Sequence, residues 1–239
     1  MSRAEGHYVT KDASTNRQPR RPLTRQRVLR AGVDFADAQG LAPLTMRGLG
    51  EALGVEGMAL YKHVANKDDL LEGMHDLVLS EAQSPVPGGD WKAELRRGAL
   101  STFEVLLRHP WACQLHMASG GGSGPARFGQ MNAILGTLRE GGFSIEMTHH
   151  AYHVLDIYVH GFALGTVSFP VDKEDLTPLA QAVLEELPSD QYPYLIEHIT
   201  YHIDYDVLSE GDFQFGLDLL LDSLERLRDL PAASAGPGG

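Results

Sequence analysis

Cysteine is almost absent from this 239-residue chain, where Cys113 stands alone. A lone thiol forms no intrachain disulfide, and without a Cys-x-x-Cys pair no thiolate zinc site can assemble, so the chain suits a reducing compartment. Long apolar runs are missing as well. Residues 1–22 hold no hydrophobic stretch of the kind that directs secretion, and no later run approaches the ~20 residues needed to span a bilayer. The expectation is a cytoplasmic protein with no membrane partner. No segment sustains the alternation of a half-buried strand between turn signals, which points to an all-α fold. Nucleophile, oxyanion and cofactor motifs are lacking, so nothing here calls for a cofactor or marks an enzyme.

What is present is unevenly distributed. The 43% apolar content is ample for a buried core, as one large domain or two unequal ones. The net charge of −12 would oppose a nucleic-acid partner if it were spread evenly. It is not. Residues 1–67 carry 11 Lys and Arg against 6 Asp and Glu, while residues 68–239 carry 9 against 26. A polyanion is drawn to the first part and repelled by the second, as expected when a small reader is joined to a body with another task.

Residues 1–22 read as a flexible basic arm, either a solvated tail or a source of extra phosphate contacts. From Leu23 the pattern turns helical: Thr24 caps a helix with Leu23 and Val28 at staple spacing, and Gly40 ends it. Thr45 caps a second, short helix, again with a staple pair in Leu44 and Leu49, before Gly54. Glu56 to Val64 is too short for an independent helix but long enough to lie across another. Asn66 then caps a fourth helix with Asp68 and Asp69 at its positive end. Residues 23–83 are thus a helix-turn-helix domain with its connecting helix, and the Pro- and Gly-rich stretch at 84–90 is the boundary. Beyond it helices are expected at 90–108, 110–118, 126–140, 144–167, 175–187, 191–207 and 212–230, making residues 90–231 a larger helical domain. Residues 119–125 read as a loop and 232–239 as a disordered tail.

The Gly54-Val55-Glu56 turn, Leu60-Tyr61, His63-Val64 and Asn66-Lys67 ahead of Leu70-Leu71 resemble the TetR family of repressors closely. Past residue 90, His109-Pro110, Gly142-Phe143-Ser144 and the run from Gly161 to Gly165 are similar to the C-terminal domain of the tetracycline-repressor type. The resemblance implies a ligand-responsive transcriptional regulator, a repressor, working as a homodimer on a palindromic double-stranded DNA operator and released by a small-molecule inducer. It implies that Tyr61, His63 and Lys67 contact phosphate, that Thr45 and Arg47 contact DNA from the preceding helix, and that Gly57, Met58, Ala59 and Lys62 face the bases. Lys and Arg neutralise phosphate, and Arg47 has the fork that pairs with guanine. Tyr61 also fits a core aromatic, and His63 a plain surface histidine. Gly57, Met58 and Met46 depart from the residues usual at those places, so no operator sequence carries over.

The acidic body carries two His/Asp stripes at one-turn spacing: His149, His153, Asp156 and His160, and then His198, His202 and Asp206. Such pairs can chelate a metal, yet a wet helix face or a polar pocket wall explains them equally. A metal-binding helical enzyme or metal sensor is therefore the alternative to the regulator, a helical interaction adaptor is a weaker rival, and no metal site is assigned. The candidate ligand-binding residues are His75, Phe103, Trp111, His116, Met117, His153 and Asp156, polar and aromatic groups of the kind that line a small-molecule cavity. His116 matches a metal-binding histidine of the tetracycline-repressor type, but Ile134, Gly161 and Phe169 stand near places where that type keeps polar ligands, which argues against magnesium-tetracycline. The helices at 144–167 and 212–230 carry apolar stripes suited to a four-helix bundle across a twofold axis, although one intrachain neighbour would also use them.

Overall fold

A computed structural model describes residues 22–119, 123–168, 173–204 and 209–230. Residues 1–21 of the arm, the tail at 232–239 and residues 120–122 of the loop lie outside them. Every regular element among the described residues is an α-helix. The three caps read from sequence all form: Thr24, Thr45 and Asn66 accept from the backbone N–H of Arg27, Gly48 and Asp69, respectively. They start α1 (Arg25–Gln39), α2 (Met46–Leu53) and α4 (Lys67–Leu79). Between α2 and α4 lies α3 (Gly57–Leu60), a single turn extended by the backbone bonds of His63 and Val64 to Leu60.

Close backbone approach sets how α3 lies on α2. A methyl group on Gly50 would meet the backbone of Gly57 at 2.8 Å, and one on Gly57 would meet the Met46 carbonyl at 3.1 Å. Gly54, at φ 67°, makes the left-handed turn between the two helices. Leu44, Leu49, Leu60, Val64 and Leu70 close the small core beneath. A bond not legible in the sequence ties its ends together. Arg25 grips Asp69 with two nitrogens, at 2.9 and 2.6 Å, and donates a third bond to the His63 carbonyl.

The body is built from α5 (Trp91–Arg108), α6 (Pro110–Ser119), α7 (Pro125–Glu140), α8 (Ile145–Ser168) and α11 (Glu210–Asp229), while α9 (Lys173–Glu186) packs chiefly on α10 (Pro193–Asp204). Six of the seven body helices start one or two residues from the sequence reading, two of them for clear reasons. Helix α7 begins at Pro125, because proline lacks only an N–H that the first turn leaves free. Helix α11 begins at Glu210, because Ser209 and Asp212 form a reciprocal capping box. Reader and body meet where Asp37 of α1 accepts from Trp111 Nε1 at 2.7 Å and pairs with His109 Nδ1 at 2.8 Å. Burial pushes the Cys113 thiol up to about 11, which leaves it inert.

Candidate DNA interface and buried ligand site

The turn between α2 and α4 exposes a mixed surface. Met58 is 74% and Tyr61 45% exposed, and Lys62 and Lys67 reach solvent, while Leu60 and Val64 are buried. Arg47 projects outward and rests on Glu51 at 3.0 Å, an exposed pair that a phosphate or a base can displace cheaply. His63 and Ala59 are half-buried. Thr45 is exposed, but its hydroxyl is engaged in the cap. Gly57 is half-buried, and the side where a side chain would stand packs on α2.

Inside the body, α4, α6, α7 and α8 bring charged groups into an apolar interior. Arg127, on the first turn of α7, donates to Asp156 at 3.0 Å and to the Tyr152 hydroxyl at 2.7 Å. His116 Nε2 lies 3.5 Å and His160 Nδ1 3.6 Å from the same carboxylate. The two imidazoles stack with centroids 3.4 Å apart and planes within 8°, and His75 of α4 follows at 5.6 Å from His116. Burial drives the His75 imidazole down to about 4, helped by His116 and Arg127. It drives His160 down to about 3. Burial alone would raise Asp156, but the His116 hydrogen bond with His160 and Arg127 nearby outweighs it and holds the carboxyl at about 2. At neutral pH the site is an Arg–Asp ion pair surrounded by imidazoles, of which His75 and His160 are neutral.

This cluster borders a small cleft between α5, α7 and α8, partly open to solvent. Its apolar wall includes Leu95, Ala99, Ile134, Leu155 and Val159, and its polar wall is Thr102, Gln130, Asp156 and His160. Several polar atoms here are buried without a partner, among them Gln130 Oε1, His160 Nε2, His116 Nδ1, His75 Nε2 and Arg127 Nη1. Native interiors leave few such atoms, so their concentration marks a place built to meet something.

Of the candidate ligand residues, His75, His116 and Asp156 come together here. Trp111 does not join them: a buried indole N–H needs an acceptor, and it finds Asp37 at the junction with α1. Phe103 stacks on Phe213 at 4.0 Å and belongs to the α5–α11 core. His153 is exposed, with its ring 4.6 Å from His149. The α8 stripe thus runs from solvent at His149 into the interior at His160. Only the backbone of Met117 is described, and the side chains of His202 and Asp206 lie outside the described residues. Arg127 and Gln130 were not singled out in the sequence. One signal was there: a cation on the first turn of a helix opposes the macrodipole and needs a compensating carboxylate.

His116, Asp156 and His160 offer ligand atoms within 4.8 Å of one another, the spacing a metal would need. Their geometry favours the arrangement already described. Parallel stacked rings do not aim their lone pairs at a common point, and Arg127 already supplies the carboxylate with a cation.

Residues 84–228 match the family described as tetracyclin repressor-like, C-terminal domain. The HTH-type transcriptional repressor DrrR1 of Streptomyces coeruleorubidus is 34% identical over 225 residues, 89% of this chain and 81% of that one. The chain belongs to the TetR family of transcriptional regulators. The class G tetracycline repressor protein of Vibrio anguillarum is 30% identical over 210 residues, covering 86% of this chain and 95% of its own. Streptomyces coelicolor ActR, solved in complex with actinorhodin, superposes with a TM-score of 0.76 at 27% identity, over 88% of this chain and 100% of that one. This TetR-family member is therefore a regulator and not an enzyme, and the helical metal-enzyme alternative falls. No helix among its described residues is long and apolar enough to cross a membrane.

Proposed function

We propose that this chain is a cytoplasmic repressor that binds a palindromic operator through α2 and α3 as a homodimer, and is released by a small organic inducer in the cleft between α5, α7 and α8. The observation that carries the reading is the cleft itself: an apolar wall faced by buried, unpartnered polar atoms, on helices of which α5 and α7 pack against α4. The likeness to ActR, solved with actinorhodin, supports an organic ligand. Residues 23–83 are the reader and 90–231 the ligand-binding and dimerisation unit. Titrating the purified protein against the DNA flanking its own coding region, with and without candidate metabolites, tests it. A chain that binds no site there, or binds equally with every metabolite, is not this regulator.

In the reader, Tyr61, His63 and Lys67 serve phosphate, and Arg47, Met58 and Lys62 face the bases. Lys67→Ala should weaken binding to every duplex and flatten the salt slope by about one unit, because one phosphate contact is lost. Arg47→Ala should instead relax base preference, by about 1–3 kcal/mol at one position. Wild-type behaviour of both variants on a mapped operator would remove this placement.

The dimer reading rests on apolar groups left outward on α8 and α11: Ile157 is 64%, Phe215 69% and Leu219 50% exposed. Leu217, Leu221 and Leu224 turn the other way into the intrachain core. Glutamate at Leu224 would therefore test folding, and Phe215 and Leu219 are the positions that test association. Phe215→Glu with Leu219→Glu should give a folded monomer by light scattering and circular dichroism. A folded double variant that stays dimeric excludes this face.

A further inference from the structure

The cleft has a hydrogen-bond polarity, and the bonds around it fix which one. His160 Nδ1 lies 2.9 Å from the Asp156 carbonyl, which can only accept, so Nδ1 carries the proton. In a neutral ring this leaves Nε2 as a bare acceptor, and burial keeps the ring neutral. The Thr102 hydroxyl donates to the Gly98 carbonyl at 2.9 Å and so must accept from Gln130, at 2.8 Å, which orients the amide. Gln130 Oε1 is then the other unpartnered atom on a residue lining the cleft. Both residues line the cleft, both are at least nine-tenths buried, and neither acceptor has a partner. Asp156 also lines the cleft, with its carboxylate paired to Arg127 at 3.0 Å.

We propose that the cleft selects a neutral, largely apolar ligand by a hydrogen-bond donor, a hydroxyl given to His160 Nε2 or Gln130 Oε1, and rejects the ether and carboxylate counterparts of that ligand. The hydroxyl satisfies an acceptor that is otherwise buried and unmatched. An ether leaves the acceptor orphaned, and an ionised carboxylate, which has no proton to donate, does the same while giving up its own hydration. The inference rests on the reading of this cleft as the inducer site.

Equilibrium dialysis of the full chain at neutral pH against β-naphthol, its methyl ether and β-naphthoate tests the rule on one ring frame. Naphthol should bind about tenfold or more tightly than either of the others. His160→Phe keeps the ring that stacks on His116 but removes the acceptor, and Gln130→Leu removes the other one. In at least one of these variants the naphthol affinity should fall to that of the ether while the ether affinity is unchanged. Equal binding of naphthol and ether, or tightest binding of naphthoate, overturns donor selection and leaves the cleft a ligand site. Failure of all three to bind overturns the cleft as an inducer site, so the two readings fail separately.

Discussion

Arg127→Met is expected to destabilise the fold by about 3–5 kcal/mol, because it strips the cation from a carboxylate that is largely buried. Arg127 and Asp156 are only 7% and 16% exposed at their side chains, so water cannot replace the lost partner. The stacked imidazoles, 3.5 and 3.6 Å from the carboxylate, offset only part of the loss, since burial keeps His160 neutral. Urea denaturation measures the loss, and Asp156→Asn in the same background should restore part of it, since the orphaned charge is then gone. The sign of the pH effect is fixed too. A carboxyl held at about 2 in the fold contributes stability above its unfolded value near 3.8, and loses it as pH falls through about 2. The gap between wild type and Arg127→Met should therefore narrow in acid. His75 and His160 act on the wild type over another range. Both are depressed in the fold, so the unfolded chain takes up their protons first, and stability should drop as pH falls from about 6.5 toward 4. A variant as stable as wild type at pH 7 would mean that the pair is not sealed from water.

Local signals were read more fully than long-range ones. Thr24, Thr45, Asn66 and Gly54 could be assigned because a cap or a left-handed turn is decided by a few consecutive residues. Met58 could be given to the surface because one helical turn on a partner leaves few choices of face, with Leu60 and Val64 turned into the core. Bonds between distant residues left no such trace. The Arg25–Asp69 clamp joins residues 44 apart, and the Trp111–Asp37 bond residues 74 apart. For that reason Trp111 looked like a cavity aromatic when it is a fastener between reader and body. Phe103 erred in the same way. Helical spacing places it inward, but only packing says that Phe213 of α11 covers it and that Thr102 beside it faces the cleft. The α8 histidines show the same limit along a helix: one stripe holds exposed His153 and buried His160, and periodicity cannot say where cover begins.

Asp76→Ala is expected to separate ligand binding from DNA release. Asp76 lies on α4, which runs from the reader into the body, and its carboxylate accepts the backbone N–H of Arg127 at 3.0 Å. There it caps the N-terminus of α7 and offsets the cation that the first turn of α7 carries. The fit is close: a methyl group on Gly124 would fall 2.1 Å from the Asp76 side chain. The same residue whose backbone is fastened to α4 holds Asp156 and Tyr152 with its side chain at the cleft. A ligand that moves α7 thereby moves α4, and a ligand changes operator affinity only by its differential affinity for the two positions of α4. Without the cap, α7 can shift alone. Asp76→Ala should bind operator like wild type and bind the releasing molecule within about threefold, while that molecule's effect on operator affinity falls by about tenfold or more. Asp76→Asn keeps an acceptor oxygen and should retain much of the response. Linkage supplies a second readout, because operator DNA must weaken ligand binding by the factor by which ligand weakens DNA binding. Calorimetric titration of the ligand with and without operator should therefore show a large difference in wild type and little in Asp76→Ala. An undiminished difference in the alanine variant would mean that the signal travels by another contact of α4, with His75 against His116 the next to test.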